Sequence, residues 1–255
     1  MKKQLLKELT EHLPYSIFSV ILGIILVGLL CFTISDNTLE LAKQTVNQAH
    51  AGHDHQAGAH DAHEHGESCD HGEEPSSDLG FLLIFHLFHP AHMLFSAAAT
   101  AGIFRKYEKT YFKPIVIGLF GSVFFCGLSD ILIPHVGGFF IGSQIPLHFC
   151  MFEQPGMILT FSAFGILLGI ISADASERKS TIFSHSMHVW VSTMASILYI
   201  VAYTGRLEWI NHLGLIFMLV TVAVVIPCCF SDIIFPIFMS KKARHQYQGC
   251  DHHHH

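Results

Sequence analysis

The chain has 255 residues, 51% of them hydrophobic and only 13% charged, with a formal net charge of −6. Soluble domains carry about 25% charged residues, so this balance excludes an ordinary soluble globular domain and places the chain among membrane proteins. Its seven cysteines show no even disulfide framework, and several sit in apolar runs, which points to thiols or soft metal ligands rather than bridges.

Six stretches approach the roughly 20 apolar residues that a bilayer crossing needs. They cover about 15–34, 80–103, 114–134, 155–173, 182–203 and 212–238. The first follows the basic start "MKKQLLKELTEHLP", as a signal peptide would. Its apolar run is long for a signal and no small-residue cleavage site closes it, so a retained first span is expected. The alternative, a cleaved signal, would leave five spans. The expected organisation is residues 1–38 for the N-terminus and span 1, 39–79 for an outer loop, 80–138 for spans 2 and 3, 139–240 for spans 4 to 6, and 241–255 for a tail. With the N-terminus in the cytoplasm, twelve Lys and Arg lie inside and two, Lys43 and Arg206, lie outside, as the positive-inside rule requires. Both termini are then cytoplasmic.

The loop contains "HAGHDHQAGAHDAHEHGESCDHGEE", with seven histidines and Cys69 among small and acidic residues. Such a segment cannot bury a core and should be disordered without metal. Neutral imidazole suits zinc, copper, nickel and iron(II), so the loop is read as a metal collector rather than a plain polar linker. The tail "CDHHHH" at 250–255 carries no weight in this reading.

Span 2 contains "HLFHPAHMLFSAAAT", in which His86, His89 and His92 stand three apart and Ser96 and Thr100 continue the stripe. Neighbours three or four apart share a helix face. Span 3 contains "CGLSDILIP" at 126–134, with Asp130 inside an apolar run. Span 4 opens on Glu153 before Pro155, a weak counterpart of Glu11 before Pro14. Span 5 contains "HSMHVWVSTMAS", where His185, His188, Ser192 and Ser196 repeat the stripe of span 2 at an offset of 96 residues; His86 has no counterpart. Span 6 contains "CCFSDIIFP" at 228–236, which matches the span 3 motif at five of nine positions and places Asp232 opposite Asp130.

The expected fold is therefore all-α, six transmembrane helices in a 3+3 repeat. Three spans per unit is odd, so the second unit must enter the membrane inverted, as in many secondary transporters that bind cargo near the midplane. An Asp at a span centre costs at least about 2.5–3.5 kcal/mol to insert, which demands a compensating partner or role. Proline lacks an N–H, so Pro134 and Pro236 should free the carbonyls four residues earlier, those of Asp130 and Asp232. Carboxylate, freed carbonyl and nearby imidazoles would make a mixed N/O cation site in each unit. The bland alternative is a kinked helix whose Asp snorkels to the interface. The candidate metal residues are His89, His92, Asp130, His185, His188 and Asp232, with His86 and Glu153 as further candidates.

The motifs "FHPAHMLFSA" and "GLSDILIPHVGG" resemble those of a poorly characterised family of bacterial polytopic membrane proteins described as heavy-metal exporters. The resemblance covers most of the chain after residue 80 and implies metal transport in a bacterial inner membrane. The zinc–iron permeases and the cation diffusion facilitators fit less well. The first pair His with Asn or Glu at other spacings, and the second normally carry a cytoplasmic metal-binding domain. The expected function is transport of a divalent transition metal, zinc before nickel, cobalt, iron or manganese, and not catalysis. The expected partners are the lipid bilayer and metal ions, with no nucleic acid; a homo-oligomer stays open. The alternative is a membrane metalloenzyme or a haem protein built on the intramembrane histidines. HExxH is absent, which removes the usual zinc protease.

Overall fold

The computed structural model describes residues 2–33, 78–147, 150–174 and 178–242. All regular elements in these residues are helical. Six helices are long and apolar enough to cross a membrane: Leu13–Thr33, Leu79–Tyr107, Phe112–Ile141, Pro155–Ala173, His185–Thr204 and Glu208–Met239. They are called spans 1 to 6. The expected His-rich loop falls outside the described residues up to position 77, as does the tail beyond position 242.

Spans 3 and 6 depart from the expected pattern in an informative way. Span 3 was expected to close at Pro134, yet it runs on to Ile141 and ends at Gly142, whose φ of 79° is the left-handed cap that glycine supplies. Proline is tolerated there because the helix widens before it. Leu128–Leu132 form a π turn, in which the Ile133 N–H reaches Leu128 O, five residues back. Phe230–Ile234 form the same turn in span 6, closed by Phe235 N–H on Phe230 O. A proline ring in an α-helix clashes with the carbonyl four residues earlier; the wider turn relieves that clash. Single π turns of this kind occur often at functional sites. Each places its Asp third of five residues, within a continuous span rather than near its end.

Span 5 is the least hydropathic of the six, yet 83% of its apolar window is buried against 28–50% for the others. It lies at the centre, with spans 1, 2, 3 and 6 packed on it. Its His, Ser and Thr side chains are spared contact with lipid, where each bare polar group would be costly. Span 2 packs on spans 3, 4 and 5. Its contact with span 4 is close because Gly165 and Gly169 face backbone: a Cβ at Gly165 would stand 2.2 Å from Leu94 O, and one at Gly169 2.3 Å from Ala98 O. Small residues at such spacing let membrane helices approach. Gly165→Ala and Gly169→Ala should each destabilise the bundle by about 1–3 kcal/mol and lower its unfolding temperature in detergent. Gly214→Ala, where a Cβ meets nothing within 4 Å, should leave that temperature unchanged or raise it. Equal temperatures for all three would show that spans 2 and 4 are not in backbone contact.

The two ends of span 2 are pinned by charge. At its start, Asp78 accepts from Gly80 N–H (3.1 Å) and from Arg206 Nε (3.3 Å), and its own N–H donates to Ala202 O (2.8 Å). At its finish, Glu108 accepts from Lys113 Nζ (2.7 Å) and from Lys241 N–H (3.1 Å). The hydrogen bond from Lys113 holds the Glu108 carboxyl below the usual carboxylate range. The start of span 2 therefore lies beside the end of span 5, and its finish beside the end of span 6.

Candidate metal centre

The stripes on spans 2 and 5 meet the π turns of spans 3 and 6. His89 and His92 are buried, and their Nδ1 atoms lie 2.8 and 2.7 Å from the same oxygen, Asp130 Oδ2. His185 and His188 place Nδ1 at 2.8 and 2.6 Å from Asp232 Oδ2. A carboxylate only accepts hydrogen bonds, so each Nδ1 carries the proton and donates. The insertion cost of each Asp is offset by two imidazole donors from its own unit.

Beyond the imidazoles, the units cross. Asp130 Oδ1 lies 2.8 Å from Ser129 Oγ and 3.4 Å from Ser192 Oγ, and those two hydroxyls are 2.7 Å apart. Ser231 Oγ in turn lies 3.1 Å from Ser96 Oγ and 3.2 Å from Thr100 Oγ1. Each SD serine thus binds the stripe of the other unit. This corrects the expected role of the prolines. In the π register the carbonyl opposite the missing proline N–H is that of the serine five residues back, not that of the Asp. Ser129 O accepts from Ser196 Oγ (3.3 Å) and Ser231 O from Thr100 Oγ1 (3.1 Å). These freed carbonyls are occupied by hydroxyls, so they knit the two units together rather than face an ion.

With Nδ1 held by carboxylate, ligation falls to the Nε2 edges, an arrangement that orients imidazole and raises its basicity at metal centres. The rings of His92 and His188 lie side by side, 4.6 Å between centroids. Cys228 Sγ stands 3.8 Å from His92 Nε2. Ligand atoms of His92, His188 and Cys228 all lie within 4.8 Å of one another, and all three residues are buried. Cys126 is also within interaction reach of both imidazoles. Two imidazoles and two thiols are the composition of four-coordinate zinc sites, although Cys126, unlike Cys228, lies outside the group whose ligand atoms stand within 4.8 Å of one another. A second group, His185, His188 and Asp232, meets the same distance criterion.

The structure brings His89, His92, Asp130, His185, His188 and Asp232 together, and leaves two candidates aside. His86 is half-buried and its Nδ1 donates to Leu82 O at 2.8 Å, one turn back in its own helix. The cause is helical drift: each i+3 step falls about 60° short of a full turn, so His86 and His92 cannot share a narrow face. Glu153 is exposed, in the short helix Cys150–Glu153 before span 4, and belongs to neither group. The sequence reading missed Cys126 and Cys228 as candidate ligands. Their signal was present, since each opens its nine-residue motif four positions before the Asp and so shares its helix face.

Comparison with protein-family models, with curated proteins and with solved structures finds no match to this chain.

Proposed function

We propose that this chain carries a divalent transition-metal cation, zinc or one with zinc-like preferences, across a membrane. The observation that carries the reading is the meeting of two matched His–His–Asp groups, from segments about a hundred residues apart, at a shared buried set of imidazoles and thiols. His92, His188, Cys126 and Cys228 would hold the ion. Asp130 and Asp232 would orient the imidazoles, and the two thiols, losing their protons on binding, would balance the charge of the ion. Ionisable groups inside a membrane bundle mark ion pathways more often than they serve packing. Thiolate and imidazole donors favour zinc over manganese, which prefers oxygen.

The 3+3 inverted repeat is part of the proposal. It is supported by the ends of span 2. Span 5 finishes where its counterpart span 2 starts, and span 6 finishes where its counterpart span 3 starts. Cytoplasmic termini and a bacterial inner membrane follow from the Lys/Arg bias and the resemblance noted above. The haem alternative is disfavoured by ring centroids 4.6 Å apart, too close for an iron between two axial imidazoles.

The test is uptake into sealed proteoliposomes, read by element analysis for zinc, nickel, cobalt, iron and manganese. Saturable accumulation of zinc above protein-free vesicles is expected; inserted protein that moves none of the five would overturn the reading. Deleting residues 50–74 should lower flux at scarce metal and preserve it at saturating metal, because a tethered collector raises local concentration without forming the path.

A further inference from the structure

The two carboxylates are matched in sequence but not in surroundings. Asp130 Oδ1 has Ser129 and Ser192 hydroxyls at 2.8 and 3.4 Å. Asp232 Oδ1 is buried and has no hydrogen-bond partner. The reason lies in the stripe of the opposite unit. Ser231 is drawn away from its own Asp by both Ser96 and Thr100. Thr100 stands where the other stripe has Ser196, and a β-branched side chain has few rotamers to choose from. Exposure differs as well: the side chain of His185 is 13% exposed, against 2% for His89. His185 lies towards the end of the bundle that carries Glu108 and Lys241, because span 5 finishes at the opposite end, beside Asp78.

We infer that the two units do unequal work, and that His185, His188 and Asp232 form a second cation station which exchanges the ion with the central group through their shared His188. Ligand atoms of the three residues already lie within 4.8 Å of one another. The donors around a tetrahedral zinc ion are about 3.3 Å apart, so small side-chain shifts would close the group on an ion. Asp232 Oδ1 supplies the oxygen that an ion would satisfy; Asp130 has none to spare and serves to position His89 and His92. His188 belongs to both groups. One imidazole edge meets Asp232 and the other faces the thiols. An ion held by Nδ1 requires the ring's single proton to sit on Nε2, so passage of the ion to the Nε2 edge returns that proton to Nδ1, where Asp232 Oδ2 accepts the hydrogen bond again. Two nitrogens and an oxygen make a harder donor set than the centre, suited to zinc, cobalt or nickel in passage rather than to tight storage.

This inference rests on the transport reading for its purpose but not for its test, which is binding. Cobalt(II) is titrated by equilibrium dialysis into the full chain in detergent, with Cys126→Ser and Cys228→Ser silencing the thiols. The thiolate-to-cobalt absorption contributed by these two residues should be lost, while one equivalent bound at the station remains. Adding Asp232→Asn should remove one equivalent, and adding Asp130→Asn should remove none. The His-rich loop and tail contribute equally to every variant and cancel in the differences. His185→Gln should remove the same equivalent as Asp232→Asn, and it decides the matter if the latter fails to fold by circular dichroism. Equal stoichiometry in the Asp130 and Asp232 variants, or no loss in His185→Gln, would overturn the station even if zinc flux is robust. The expected losses in a chain that moves no metal would instead leave the station standing and remove the transport reading.

Discussion

His92→Ala and His188→Ala should each bring zinc flux down to the level of protein-free vesicles. Each removes one of the two imidazoles that face each other at 4.6 Å, and each leaves its Asp with a single imidazole donor in a buried position. No other described imidazole belongs to the central group, so the lost donor has no substitute. Cys228→Ser should come close to the same loss while preserving volume. A hydroxyl is a far poorer ligand for zinc than a thiolate. His86→Ala is the contrast: His86 belongs to neither metal group, its Nδ1 faces Leu82 O in its own helix, and its loss should leave flux within about twofold of the unmodified chain. The measurement is initial zinc uptake in proteoliposomes, normalised to inserted protein. Dead His86→Ala beside active His188→Ala would move the path to the other side of span 2.

Asp130→Asn should lower flux about 10–100-fold, the usual cost of losing the group behind a metal-bound imidazole. The amide keeps the shape and can still accept from His89 and His92, but the negative charge that makes them better ligands is gone. Asp232→Asn should cost at least as much. Its amide nitrogen would either occupy the buried position where Oδ1 has no partner, leaving donors unsatisfied at about 1–3 kcal/mol, or turn towards imidazole donors. Pro134→Ala and Pro236→Ala should be milder. They restore an N–H opposite Ser129 O and Ser231 O, and those carbonyls already accept from Ser196 and Thr100. The kinked-helix reading demands the reverse ranking, with proline changes severe and Asn changes slight. Flux measured side by side for the four variants separates the two readings.

Much of this arrangement was legible before any coordinates. The six spans follow from hydropathy alone, because a bilayer crossing demands a long apolar helix whatever its neighbours are. The pairing of His89 with His185, His92 with His188 and Asp130 with Asp232 followed from the two offsets of 96 and 102 residues. Helix periodicity then placed each pair of histidines on a face. These are local properties, carried by runs of ten to twenty residues.

What the sequence by itself determined, then, was the number of spans, the order of the motifs and the residues that correspond between them. The tertiary structure alone decided what those residues touch. Asp130 stands behind two imidazoles because span 3 is rotated to present it to residues 41 and 38 positions away. Cys228 meets His92 across 136 positions, and Ser129 meets Ser192 across 63. Such encounters depend on helix rotation and separation, set by the backbone contacts at Gly165 and Gly169 and by the π turns that carry two helices past their prolines. Periodicity names a face but not what it touches. For the same reason the motif gave no hint that Asp232, unlike Asp130, would keep one oxygen bare: that difference comes from Thr100, on the helix of the opposite unit.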